Sequence, residues 1–232
     1  MVDDGNRLLG IVTYDDAHRR LAEAAREDSD LYHALSGEAP EAGYLEVSAW
    51  AEIRRRVPWI LALAVVGLLA GYIVHSYEAA LDALVILALY MPMLADTGGN
   101  VGTQSSSLVI RAVATGEIGL GHSLRVLWKE ARVALCLALV LFGFAFLKVL
   151  LYSNSADVPF ALSLEMIAFA IALAIAAQVV VSTLIGAMLP LLAMLSRQDP
   201  AVVAGPALTT IVDVAGLLLY FTITTSILGV GG

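Results

Sequence analysis

The chain has 232 residues, 59% hydrophobic and only 15% charged, with a formal net charge of −8 and a mean hydropathy of +0.84. Soluble domains carry about a quarter charged residues, so this composition excludes an ordinary soluble domain and points to membrane spans. A chain this acidic also lacks the basic patch that holds nucleic acid, and no nucleic-acid partner is expected.

The polar residues are concentrated at the start. Up to Arg56 there are 12 acidic and 7 basic residues, and the 176 residues beyond hold 9 and 6. Residues 1–30 are charged throughout and do not read as a cleavable signal peptide. "VDDGNRLLGIVTYDD" has a turn signal at Asp4-Gly5-Asn6 followed by a short apolar strand. A helix is expected from about Asp15/Asp16, with Ala17, Leu21 and Ala24 at helical spacing. One strand pair and one helix are too little for an independent core. The order strand, "GIVTYDD", helix resembles the closing piece of a CBS domain, so residues 1–35 read as the remnant of one, in a chain truncated from or beginning inside a longer product. Residues 36–57 form an acidic linker ending in "SAWAEIRRR". Ala49, Trp50 and Ile53 beside three arginines suggest a surface-lying amphipathic helix, with a plain solvated linker as the alternative.

Residues 58–232 hold five segments able to cross a bilayer, roughly 58–77, 82–110, 131–152, 161–195 and 201–229. Pro58 is expected in the first turn of span one, and Pro200, behind the capping residue Asp199, in that of span five. Arg54, Arg55, Arg56, Arg111, Arg125, Lys129, Arg132 and Arg197 all fall on one side, which sets that side as cytoplasmic. The opposite loops hold Glu78, Asp82 and Asp157 and no basic residue, while Lys148 is expected to snorkel outward. The fold class is therefore an all-α membrane protein with five spans, N-terminus inside and C-terminus outside. Cys136, the single cysteine, reads as a packed core residue, and the four histidines show no ligand spacing.

Span two contains "MPMLADTGGNVGTQSSSLVIRA", which is unusually polar for membrane depth. Glycine costs about 1 kcal/mol relative to alanine in a helix, and Pro92 removes a backbone bond just upstream. One reading makes Gly98, Gly99, Gly102 and Ser105–Ser107 small residues for close helix packing. The favoured reading is a broken helix whose freed carbonyls, with Asn100 and Gln104, line an ion path. Span five contributes Asp213 about a dozen residues in, with Thr209 and Gly216 on the same helical face. A carboxylate there costs about 2.5–3.5 kcal/mol to insert. No lysine or arginine in spans four or five is available to pair it. Oxygen ligands alone suit magnesium, calcium or manganese, and a sparse site holds hydrated magnesium through its waters. Two copies facing across a two-fold axis would complete such a site.

"MPMLADTGGNVGTQSSSLVIRAVATGEI", "LIGAMLPLL" and "DPAVVAGPALTTIVDVAGLLLYF", in that order, resemble the membrane domain of the MgtE family of magnesium channels. The resemblance implies a homodimer in the cell (inner or plasma) membrane, with a central pore built from spans two and five and ions moving down their gradient without ATP hydrolysis. It implies Asp213 as the pore aspartate and Thr209 as a backbone-carbonyl neighbour. Gly98, Gly99, Asn100, Thr103, Gln104, Ser107, Gly205 and Gly216 are expected to line the pore, with Asp96 near its outer half. Thr103 and Ser107 stand where the family often has asparagine and threonine, and Gly205 where a relative has a pore-facing asparagine. The resemblance implies Mg2+ as the transported ion, with Mn2+, Co2+ or Ca2+ as competitors. Two rival readings are an intramembrane enzyme using Asp96 and Asp213 as a dyad, and a non-transporting CBS-type sensor. The first reading, a transporter and not an enzyme, is preferred because an anchor needs no mid-span carboxylate.

Overall fold

In the computed structural model, residues 11, 13–33, 45–153, 162–203 and 205–230 are described. Most of the short strand expected after Asp4-Gly5-Asn6, residues 36–44 of the acidic linker and the loop bearing Asp157 lie outside them. The described residues are helical, with no strand among them. The chain divides into two compact units, Met1–Trp59 and Ile60–Gly232.

In the first unit, α1 spans Tyr14–Tyr32. Thr13 caps it: its hydroxyl oxygen accepts from the Asp16 amide at 3.2 Å and its hydroxyl donates to the Asp16 carboxylate at 2.7 Å. Asp30 and Arg55 form an ion pair in this unit.

Helix α2 (Ala49–Ser76) continues through the expected linker boundary as one helix. Pro58 therefore sits inside it, not in a first turn. The helix tolerates the missing amide because only one backbone bond is lost. A short α3 (Glu78–Ala83) leads to α4 (Ile86–Ala114). After a one-turn 3₁₀ segment, Leu120–His122, come α5 (Ser123–Tyr152) and α6 (Leu164–Leu195). A second 3₁₀ turn, Pro200–Val203, precedes α7 (Pro206–Leu228).

The second unit is built around α6, which packs against α4, α5 and α7 and is buried along most of its length. The core joins Leu87 and Leu94 of α4, Ile171 and Ile175 of α6, and Tyr220 and Phe221 of α7. Tyr77 stacks on Phe221 at 4.8 Å, and the Tyr220 hydroxyl donates to the Leu87 carbonyl at 2.8 Å. Among the described residues four helical stretches are long and apolar enough to cross a membrane: Ala49–Ser76, Leu120–Tyr152, Leu164–Leu195 and Pro206–Leu228. At 29 residues α4 is long enough too, but its polar stretch lowers its hydropathy.

Three further expectations change. Asp199 caps the 3₁₀ turn, its carboxylate accepting from the Ala201 amide at 2.8 Å, and α7 opens instead at Pro206 behind Gly205. Cys136 is exposed on the outer side of α5 and is not a core residue. Lys148 does not reach outward. Its ammonium lies 5.2 Å from the centre of the Tyr90 ring and 3.6 Å from Met93 Sδ, where the ring face and the thioether hold it against α4.

Candidate cation-binding cleft

Helix α4 is unbroken from Ile86 to Ala114, so the expected break at "TGGN" does not occur. The small residues and the polar residues instead occupy different faces of one helix. At 100° per residue, Gly98, Gly102 and Ser105 point one way, and Asp96, Asn100, Thr103 and Gln104 point roughly opposite.

The glycine face allows close approach. A methyl carbon on Gly102 would lie 3.3 Å from the Ser182 carbonyl oxygen and 3.4 Å from Val212 Cγ2. One on Gly186 would overlap the Gly102 carbonyl oxygen, so the α4 and α6 backbones touch here. Helical bonding survives because neighbouring helices confine the glycines to it. The packing reading of the sequence therefore describes one face of α4.

The opposite face opens on a cleft of about 470 Å3, lined by Ala95, Asp96, Gly99, Asn100, Thr103, Gln104, Thr209 and Asp213. Seven of these eight are sequence-predicted site residues; Ala95 is the addition. Asp213 is half-buried and makes no hydrogen bond or ion pair with a described residue. The Thr209 hydroxyl donates to the Pro206 carbonyl at 3.0 Å, and its methyl lies 3.4 Å from where a Gly99 side chain would begin. The lining thus offers two carboxylates, two amides and two threonine hydroxyls, and no lysine, arginine or histidine. A donor set of oxygens with uncompensated negative charge is suited to a hard cation. Among the described residues no three His, Cys, Asp or Glu side chains cluster as a metal site.

The remaining predicted residues lie outside the cleft. Gly98 and Gly216 are buried on either side of Gln178. Ser107 is half-buried on α4. Gly205 is the residue before α7, with φ 62° and ψ −129°. An L side chain rarely adopts that conformation, so the backbone itself accounts for glycine here.

Sequence reasoning missed the support behind the cleft. Gln178 is fully buried, and its amide nitrogen donates to the carbonyl of Val212, the residue before Asp213, at 3.0 Å. A methyl on Gly98 or Gly216 would collide with the same side-chain amide. The signal was available: Gln178 is the lone amide in the 32 residues of α6. Glu130 of α5, also buried, accepts from the Ser105 hydroxyl at 2.9 Å.

An all-helical bundle with several bilayer-length apolar helices and an oxygen-lined, acidic cleft defines a polytopic membrane protein equipped to handle a hard cation. Residues 91–223, more than half the chain, match the MgtE family, described as divalent cation transporters, and the chain belongs to that family. It is 36% identical to the magnesium transporter MgtE of Thermus thermophilus over 229 residues, which is 98% of this chain and 48% of that protein. It is 29% identical to the magnesium transporter MgtE of Bacillus subtilis over 226 residues, 97% of this chain and 47% of that one. The chain thus spans about half the length of the curated relatives it matches.

Proposed function

We propose that this chain is the membrane part of a magnesium transporter of the plasma membrane, and that two copies bring their α4 and α7 faces together around one ion path. The observation that carries the reading is Asp213, a carboxylate two turns into α7 with no cationic partner among the described residues, in a cleft of oxygen donors. Its half-buried position leaves it accessible to an ion. Magnesium is the proposed cargo because the relatives are named as its transporters, and because a sparse oxygen site holds this ion through retained waters.

In this reading α4 is a fifth span beside α2, α5, α6 and α7. Its polar face, exposed on a single copy, meets the ion path and not the lipid. The basic residues of the α4–α5 and α6–α7 connections lie inside, which places the N-terminus in the cytoplasm and the C-terminus outside. Asp96, one turn from Asn100 on the same face, raises the local cation concentration at the outer half of the path. Mn2+, Co2+ and Ca2+ are the competitors to test, and no step calls for ATP hydrolysis. The piece at residues 1–35 belongs to a CBS module and residues 36–57 connect it to the pore domain at 58–232.

Magnesium flux into proteoliposomes, read with an entrapped indicator, tests the proposal. Asp213→Ala and Asp213→Asn are expected to abolish uptake while the protein remains monodisperse. Uptake equal to wild type in both would overturn the role of Asp213. A second reading draws on Asp96 and Asp213 sharing one cleft, as a carboxylate dyad would require. Cleavage of a membrane peptide reporter, lost in either Asp→Asn variant, would favour that enzyme instead.

A further inference from the structure

We infer that the end of the bundle where α4 closes and α5 opens is a binding site for one anionic phospholipid. A cavity of about 280 Å3 lies there, lined by apolar residues of α4, Leu108 among them, by Arg125, Val126, Lys129 and Glu130 of α5, and by His122 just before α5. An adjoining hollow of about 350 Å3 shares Lys129 and adds Arg132 and Leu137. Arg125, Lys129 and Arg132 follow one another at i, i+4 and i+7, so they form a single stripe down α5. All three are exposed, and none forms an ion pair with a described residue.

Glu130 lies off the line of this stripe, on the α4 side of α5. Its side chain is buried, 7% exposed, and its carboxylate is bound by the Ser105 hydroxyl on the α4 side. The surroundings fix the depth of the stripe. Trp128, 65% exposed, stands at its level, and one to three turns further on Leu135, Leu139 and Val140 present bare apolar surface. Tryptophan and snorkelling cations mark the headgroup level, and the apolar surface marks the acyl region.

The ligand chemistry follows from this mixed lining. A phosphodiester between Arg125 and Lys129 satisfies both cations, while an acyl chain covers exposed Leu108 and half-buried Val126. A soluble phosphate would satisfy the cations but leave Leu108 wet. A zwitterionic lipid would bring an ammonium group, for which the only carboxylate in the cavity lining is the bound Glu130. The fit is therefore to a lipid of net negative charge. This site is separate from the cation cleft and stands whether or not the chain carries magnesium.

The test uses the full chain in mild detergent, titrated with dioleoyl phosphatidylglycerol or dioleoyl phosphatidylcholine, with bound lipid counted by native mass spectrometry. One saturable phosphatidylglycerol per chain is expected, with phosphatidylcholine at least tenfold weaker. Each cation near a lipid surface is worth roughly a fivefold change in affinity, so Arg125→Gln with Lys129→Gln is expected to weaken phosphatidylglycerol binding roughly 20- to 30-fold. Lys129→Gln alone is expected to give about a fivefold loss. Lys148→Gln, on the other half of α5, is expected to leave binding unchanged. Equal binding of the two lipids, or no effect of the double substitution, would overturn the inference. Complete displacement of the lipid by soluble glycerol phosphate would also overturn it, in favour of a free-phosphate site.

Discussion

The α4 and α6 backbones meet at Gly102 and Gly186, and Gly186→Ala is the sharpest probe of that contact. The added methyl carbon would overlap the Gly102 carbonyl oxygen and sit 3.0 Å from the Gly102 carbonyl carbon and 3.1 Å from its Cα. All three are backbone atoms, so no change of rotamer relieves the clash. Non-bonded carbons pack at about 3.5–4.0 Å, which requires α4 and α6 to part by roughly 0.5–1 Å. A gap of that size forfeits about a quarter to a half of the dispersion energy of every contact it opens. Overpacking a fitted interior costs about 1–3 kcal/mol, and unyielding backbone on both sides puts this case at the upper end. For a chain of this length the corresponding loss is roughly 4–12 °C in unfolding temperature. The assay is the fraction of monodisperse protein remaining after heating in detergent. Gly102→Ala, whose methyl meets the Ser182 carbonyl oxygen at 3.3 Å, should fall between Gly186→Ala and wild type. Gly143→Ala on α5 has nothing within 4 Å and should cost nothing, since alanine is the better helix former. If Gly186→Ala melts with wild type and Gly143→Ala, the close approach of α4 and α6 is refuted.

Two further outcomes follow from local geometry. Gly205→Ala forces an L side chain into φ 62°, ψ −129° at the mouth of α7, and is expected to cost about 1–3 kcal/mol in the same heating assay; unchanged stability would show that this turn is not held in that conformation. The Asp16 carboxyl is held below its ordinary value of 3.8 by hydrogen bonds from the Thr13 side chain and, next, its backbone region, with Arg19 adding to the effect. Because the folded value is the lower one, the capping contribution is complete above the ordinary carboxylate range and is lost as pH falls through the depressed value. Thr13→Ala should move the Asp16 titration up toward 3.8, as followed by carboxyl NMR shifts in the full chain, and an unmoved titration would refute the cap.

The helices and most of the cleft were legible in the sequence because both rest on short-range rules. Apolar runs of bilayer length picked out the four stretches that, among the described residues, are long and apolar enough to cross a membrane, and i, i+4 spacing put Thr209 with Asp213 on one face of α7. What failed were judgements about backbone. Glycine and proline propensities, measured in isolated helices, argued for a break at "TGGN" and a helix start at Pro58. In the bundle, neighbours on α6 and α7 confine Gly98 and Gly102, so tertiary packing overrides the propensity. Cys136 was misplaced for a related reason: around a membrane helix the outer face is as apolar as the inner, so hydropathy carries no sidedness. Lys148 was misplaced because its partners, Tyr90 and Met93, lie more than fifty residues away in the chain.

The close packing on one face of α4 bears on the cleft that its opposite face lines. Gly102 touches α6 within two residues of Asn100, Thr103 and Gln104, so any thickening of that contact displaces the polar stripe relative to α7. The same holds on the α7 side. Gln178, fixed on α6 between Gly98 and Gly216, bonds the carbonyl immediately before Asp213 and so ties the register of α7 to that of α4. The amide oxygen of Gln178 has no hydrogen-bond partner among the described residues, which costs free energy, so this side chain is held by the bond its nitrogen makes to α7. Through that bond α6, which lines none of the cleft, sets the spacing between the carboxylate of α7 and the amides of α4. In the proposed reading that spacing decides whether the oxygen donors meet an ion directly or through its waters, so Gln178→Leu is expected to alter uptake without touching a residue of the cleft.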